Sequence, residues 1–417
     1  MIDRVFRMGS IIAGLIAGTI ALIARRLPPT SGTDAEMETQ RQTKTNSRQS
    51  LVKIIKLFAV FMALMLVGGF LVAASGIIPI KASSRHWKIT EWFLHFSKKR
   101  SVATHSLGIK APPLDNLGLV LKGAGHYEIG CNPCHGSPQF QTPRIPFNLT
   151  PNPPYLPRTI KEWKSEELFY IVKHGIKFTG MPAWPAPNRD DEVWAVVAFL
   201  RKFPELNASE YKRLVNGETV ANGEVASMQE LTEAEKPVRT AIESCARCHG
   251  VDGLGRGEGA HPKLAGQRTD YFVRSLQAYT SGQRQSGIMM PIAAGLSQEE
   301  IHLLARYYTS LSGAKGFSAQ DAAAIERGKV IAQQGLPAQR VPACVSCHGP
   351  GDHPRNPVYP ELAGQHADYI VLQLEILKSG IRGGTDFAHI MRRVAAGLTN
   401  DQMRDASAYY ASLPSRD

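Results

Sequence analysis

Residues 243–250 read ESCARCHG, and the order Cys245-Ala-Arg-Cys248-His249 within them decides the reading of the whole chain. The same order recurs at Cys131-Asn-Pro-Cys134-His135 and Cys344-Val-Ser-Cys347-His348, so all six cysteines fall in three copies of one pattern. Cys-x-x-Cys-His is the covalent attachment site of c-type haem. Two thiols reach the two vinyl groups of one porphyrin, the next residue places an imidazole beneath the iron, and one helical turn does all three. Structural zinc would use two pairs per site, stranding the third pair and leaving each histidine unexplained. Disulfide or thioredoxin-like chemistry needs only Cys-x-x-Cys. The three motifs therefore imply three covalently bound haem c groups, with His135, His249 and His348 as proximal ligands.

The last two motifs lie in an internal repeat of about a hundred residues. HPKLAGQRTDYFVRSLQAYTSGQR and SGIMMPIAAGLSQEEIHLLARYYTSL follow the second motif, while YPELAGQHADYIVLQLEILKSGIRGG and AHIMRRVAAGLTNDQMRDASAYYASL follow the third. The shared blocks are LAGQ, SG-x-R, AAGL and YY-x-SL. After the first motif come PPYL, HGIKFTGMPAWP and DDEVWAVVAFL, the same order with little identity. Over about residues 118–414 the chain resembles the class I cytochromes c, and the tandem pair resembles the dihaem, two-domain bacterial cytochrome of the c-four type. The resemblance implies an all-α fold of three tandem class I cytochrome c domains, at 118–205, 236–314 and 318–414, with a linker at 206–235.

It also implies a distal methionine on a loop ahead of each carboxy-terminal helix. Ser297-x-x-Glu300 and Thr399-x-x-Gln402 read as capping boxes opening two of those helices. A common count picks the ligands, since Met181 to Phe199, Met289 to Tyr307 and Met391 to Tyr409 are each 18 residues. Met290 breaks the count, although its following Pro291 matches the Met181-Pro182 pair; Met289 is preferred, with Met290 as packing. His174 and His389 would allow bis-histidine ligation but lack counterparts in the other domains, and read as surface residues. Pro154, Pro262 and Pro360, each in a Pro-x-Leu triplet between His and Met, match the family's proline whose carbonyl accepts the proximal imidazole N–H.

The net charge of +12 is uneven. Residues 1–110 hold 16 Lys/Arg against 5 Asp/Glu, and residues 111–417 hold 32 against 31, so the basic excess flanks apolar runs and no nucleic-acid surface is indicated. Leu57–Ile80 is 24 uncharged residues, enough to cross a bilayer. Met8–Ala24 has 17 and spans marginally, and a start at Met37 would remove it. The polar stretch between them carries seven Lys/Arg and three acids, so segment 1–56 is expected in the cytoplasm. Residues 81–117 then form a periplasmic juxtamembrane segment, with Trp87, Trp92, Phe93 and Phe96 as an interfacial belt. One or two transmembrane helices would thus precede the haem domains, at the inner membrane of a bacterium.

Gly253–Gly259 lacks the strand and helix of a nucleotide-binding turn and reads as a flexible loop. Asp190, Asp191 and Glu192 read as acids favoured at a helix start. The expected function is electron transfer rather than catalysis, with no diffusible substrate. A quinol-oxidising complex or a dehydrogenase would be the donor and a terminal oxidase the acceptor. The competing readings are a haem enzyme with one open iron, and a cytochrome subunit of a membrane dehydrogenase.

Overall fold

The computed structural model describes residues 34–78, 80–141, 143, 148–221, 238–312, 321–350 and 354–415. The apolar run 8–24 and the second part of the expected linker, 222–235, lie outside them. The chain divides into Met1–Lys81 and Ala82–Asp417.

The described residues of the first unit form the helix α1 (Asp34–Ala74), whose apolar part is exposed along its length. It is long and apolar enough to cross a membrane. The helix ends six residues before Ile80, so the expected 24-residue span is helical only from Leu57 to Ala74. The stop is local: Gly76 takes φ +68° and Pro79 follows, the usual combination that ends a helix. Eighteen helical residues still extend about 27 Å, close to a hydrocarbon core.

The second unit is all-α; its described residues contain isolated bridges but no strand. It opens with α2 (Lys88–His105), which buries Val102 and leaves Trp87, Trp92, Phe93 and Phe96 exposed. Three apolar clusters follow, one around each cysteine pair.

The first cluster joins α3 (Leu117–Gly130), α4 (Asn132–His135), α5 (Leu156–Thr159), α6 (Ser165–His174) and α7 (Asp190–Lys202) around Tyr127, Phe199 and Phe203. Tyr211 and Val215, on α8 (Ala208–Ala221), are buried in the same cluster. The expected linker therefore begins later than residue 206, because its short apolar face covers the first core. Helices α3 and α7 cross at Gly123, where a Cβ would lie 1.9 Å from the Ala195 carbonyl oxygen.

The second cluster joins α9 (Arg239–His249), α10 (Thr269–Thr280), α11 (Met289–Ala294) and α12 (Gln298–Ser310) around Ile242, Ile301 and Tyr308. The third joins α13 (Ala322–Gln334), α14 (Val345–His348), α15 (Ala367–Lys378), α16 (Ala388–Ala396) and α17 (Asn400–Ser412). Here Gly328 repeats the close crossing, 1.9 Å from the Asp405 carbonyl oxygen for an added Cβ. Both expected capping boxes form. Ser297 Oγ accepts from the Glu300 N–H at 3.2 Å and the Glu300 carboxylate accepts from the Ser297 N–H at 2.8 Å. Thr399 and Gln402 repeat the exchange at 3.2 and 2.9 Å.

Candidate haem sites

Each Cys-x-x-Cys-His stretch is helical, as its spacing requires. His135 N–H donates to Cys131 O at 2.8 Å and His348 N–H to Cys344 O at 2.9 Å, while the second motif is the last turn of α9. No disulfide joins the cysteines, and the pairs belong to three separate cores. Burial pushes the Cys131 and Cys245 thiols up to about 12, with the neighbouring cysteines adding to it, and burial likewise takes Cys248 and Cys344 to about 11.

The imidazoles are oriented alike. Nδ1 of His135 meets the Pro154 carbonyl at 2.9 Å, His249 meets Pro262 at 2.9 Å, and His348 meets Pro360 at 3.0 Å. A carbonyl only accepts, so each Nδ1 carries the proton and each Nε2 carries the lone pair a metal would use. Burial lowers all three imidazole pKa values, offset in part by these hydrogen bonds, and so favours the neutral, ligating form.

On the distal side, Met289 and Met391 belong to short helices rather than to the expected loops, with Met391 inside α16 and Met289 opening α11. Met181 does lie in irregular chain, where its carbonyl accepts from the Ile176 N–H at 3.2 Å. Both Met289 and Met391 line one continuous cavity with His249, His348, Cys248 and Cys347. Met290 does not line it; its sulfur accepts from the Ser286 N–H at 3.3 Å. His174 and His389 are exposed. A buried nitrogen in the cavity wall, His126 Nε2, has no hydrogen-bond partner among the described residues, as fits a space whose bound group brings polar substituents. In the second and third domains the residues present thus suit haem: cysteine thiols, a tautomer-fixed imidazole and a methionine from each face one largely apolar cavity, which Cys131, Cys134, His135 and Met181 of the first domain do not line.

Several contributors were missed by sequence reasoning. Tyr127 and Tyr410 donate from their hydroxyls to the carbonyls of Gly136 and Gly349, the residue after each motif, at 2.7 and 2.8 Å. Gly253–Gly259 is an ordered loop, since Gly255 N–H donates to His249 O at 2.8 Å and Gly253 O accepts from Leu264 N–H at 2.7 Å. The acids of α7 do more than face a helix dipole. Arg189 grips Asp191 through Nε at 2.8 Å and Nη2 at 2.9 Å, and Lys122 reaches Asp191 at 2.8 Å. Burial would raise the Asp191 carboxyl, but these cations outweigh it and hold the group well below the usual range.

The second and third cores meet through reciprocal contacts. Gln365 accepts from the Lys263 N–H at 2.9 Å and donates to the Lys263 carbonyl at 3.0 Å. Gln267 makes the same pair with Glu361, at 2.8 and 3.1 Å. Arg284 donates to the Tyr369 hydroxyl at 3.2 Å, and Arg382 to that of Tyr271 at 2.9 Å. Lys263 and Glu361 each follow the proline that accepts from their own repeat's proximal histidine, so the LAGQ glutamines, each reaching across to the other repeat, tie the two proximal sides together.

This helical architecture and its Cys/His/Met geometry define a c-type haem protein. The family described as cytochrome c oxidase, cbb3-type, subunit III matches residues 118–200 and 232–307, and the cytochrome c family matches 325–414. A thiosulfate dehydrogenase electron acceptor of Stutzerimonas stutzeri (strain A1501) is 33% identical over 184 residues, 42% of this chain and 82% of that protein. Cytochrome c4 of Azotobacter vinelandii is 34% identical over 179 residues, 40% of this chain and 84% of that protein. The crystal structure of reduced recombinant cytochrome c4 from Pseudomonas stutzeri is 32% identical, covering 43% of this chain and 96% of that one, with a TM-score of 0.39. The chain belongs to the multihaem class I cytochromes c, electron-transfer proteins with covalently bound c-type haem.

Proposed function

We propose that this chain is a membrane-anchored trihaem electron carrier whose haem domains face the bacterial periplasm. The observation that carries the reading is the threefold recurrence of a proximal imidazole held by a proline carbonyl at 2.9, 2.9 and 3.0 Å. In this reading the pairs Cys131/Cys134, Cys245/Cys248 and Cys344/Cys347 attach three haems. His135 with Met181, His249 with Met289 and His348 with Met391 supply the axial ligands. Bound haem supplies a one-electron couple, and a methionine opposite the histidine saturates the iron and raises its potential. The three domains would be 118–205, 236–314 and 318–414, extended at the first boundary by the core residues Tyr211 and Val215.

Helix α1 serves as the anchor, and the exposed aromatics of α2 suit the membrane–water interface. The carrier works in a respiratory chain, accepting electrons from a dehydrogenase or quinol-oxidising complex and passing them toward a terminal oxidase. Relatives named as thiosulfate dehydrogenase electron acceptors favour a dehydrogenase as donor. A redox titration of the purified protein, with spectra that report axial ligation, is expected to resolve three low-spin haems. A high-spin haem, or one that binds carbon monoxide readily when reduced, would sink the pure-carrier reading for that domain. A stable partner co-purifying after mild detergent extraction would replace the free carrier by a bound subunit.

A further inference from the structure

We propose that the first domain completes the distal side of the second, with Glu192 as a positioning residue for Met289. The inference rests on the reading of Met289 as the second haem's distal ligand. Glu192 sits in the first turn of α7 and is 2% exposed. Its carboxylate leaves its own domain. Oε1 accepts from the Ser286 hydroxyl at 2.7 Å, and Oε2 accepts from the Gly287 N–H at 2.6 Å. Ser286 acts twice more: its hydroxyl accepts from the Met289 N–H at 3.2 Å, and its own N–H donates to the Met290 sulfur. One carboxylate therefore holds the hydroxyl that fixes the Met289 backbone, on the residue whose amide occupies the sulfur of the neighbouring methionine. The network selects which sulfur of the doublet faces the cavity.

The surroundings are built for this contact. Arg189 pairs with Glu192 at 3.0 Å and also donates to the Gln285 carbonyl at 2.7 Å, so the buried charge is compensated and the same loop is gripped twice. Trp184, three residues beyond Met181, donates its indole N–H to Glu192 at 3.2 Å. It packs so closely on Gly287 that a Cβ there would lie 2.3 Å from the ring. In the third domain the corresponding backbone bonds are local: the Met391 N–H donates to Phe387 O at 3.3 Å, and Ala388 N–H to Thr385 O at 2.9 Å.

The test uses the full-length, haem-loaded protein and follows each haem's Met-to-iron charge-transfer band, potential and carbon monoxide binding. Glu192→Ala is expected to weaken the second haem's band, shift its potential and raise carbon monoxide binding there about tenfold, the scale of one lost charge-assisted hydrogen bond. The first and third haems keep their bands. Glu192→Gln, which retains one acceptor oxygen, falls between. Ser286→Ala shifts the same haem in the same direction, and the double variant adds little to Glu192→Ala alone. Ser286→Ala leaves the Arg189–Glu192 pair in place, so it decides the matter if Glu192→Ala does not accumulate. A wild-type second haem without the band overturns the ligand assignment and the positioning role together. A wild-type band that survives unchanged in both single variants overturns the positioning role alone.

Discussion

The two junctions between cores are built on different plans. Between the second and third, two kinds of contact are made twice with the partners exchanged: Gln267 with Glu361 and Gln365 with Lys263, Arg284 with Tyr369 and Arg382 with Tyr271. Between the first and second, no such exchange appears among the described residues: Arg189, Glu192 and Trp184 of the first gather one-sidedly on loop 285–287 of the second, and Arg256 of the second separately reaches the Arg213 and Leu214 carbonyls of the first. The exchanged glutamine contacts join neutral side chains to backbone groups, whereas the one-sided contact is made by the buried Arg189–Glu192 ion pair. Perturbing an exchanged contact should therefore give matched, moderate losses, and perturbing the Arg189–Glu192 pair a large loss in the first and second domains that spares the third.

The largest effect is expected from Arg189→Ala. It leaves Glu192 buried without its cation and removes the clamp on Asp191, so about 3–5 kcal/mol of stability should be lost. Denaturation followed haem by haem would show the loss in the first and second domains; equal loss in the third would break the distinction. Gln267→Leu and Gln365→Leu come next, each orphaning an N–H and a carbonyl in the opposite repeat at about 2 kcal/mol. The two losses should agree, and each should shift the potential of the haem in the other domain. A shift confined to the mutated domain would refute the reciprocity.

Acid discriminates the junctions too. Asp191 has a depressed folded-state pKa, so its contribution is complete above the unfolded value of about 3.8 and is lost as pH falls through the folded value. The one-sided junction should hold between pH 7 and 4 and weaken below that, while Asp191→Asn should flatten the acid limb. The smallest effect is expected from Met290→Leu. A volume-conserving swap outside the cavity wall should cost less than about 1.5 kcal/mol and spare the second haem's charge-transfer band, which Met289→Leu should abolish.

What could be read from the sequence was what is close in sequence. Cys-x-x-Cys-His occupies one helical turn, and the capping boxes span four residues, so spacing alone determines their geometry. The 18-residue count reaches further because helix register carries it, and of the doublet it nominated Met289, which lines the cavity where Met290 does not. Glu192 was invisible for the converse reason: its partners lie 94 and 95 residues away, and an acid in the first turn of a helix already has a sufficient local explanation. The glutamines are an intermediate case. LAGQ stood out as a repeated block, but nothing in either copy says that its side chain belongs to the other copy's backbone. The tyrosines escaped because Tyr127 and Tyr410 reach equivalent glycine carbonyls from non-equivalent helices, α3 and α17, which no alignment of repeats would pair.

The exchanged glutamine contacts have a consequence for assembly. One copy of the repeat presents both the side chain and the backbone segment it binds, so the surface is self-complementary, as in an isologous homodimer. The polypeptide joining the two copies is then not what creates their interface. It sets their effective concentration, keeping paired at any dilution a contact that separate chains would have to find by collision.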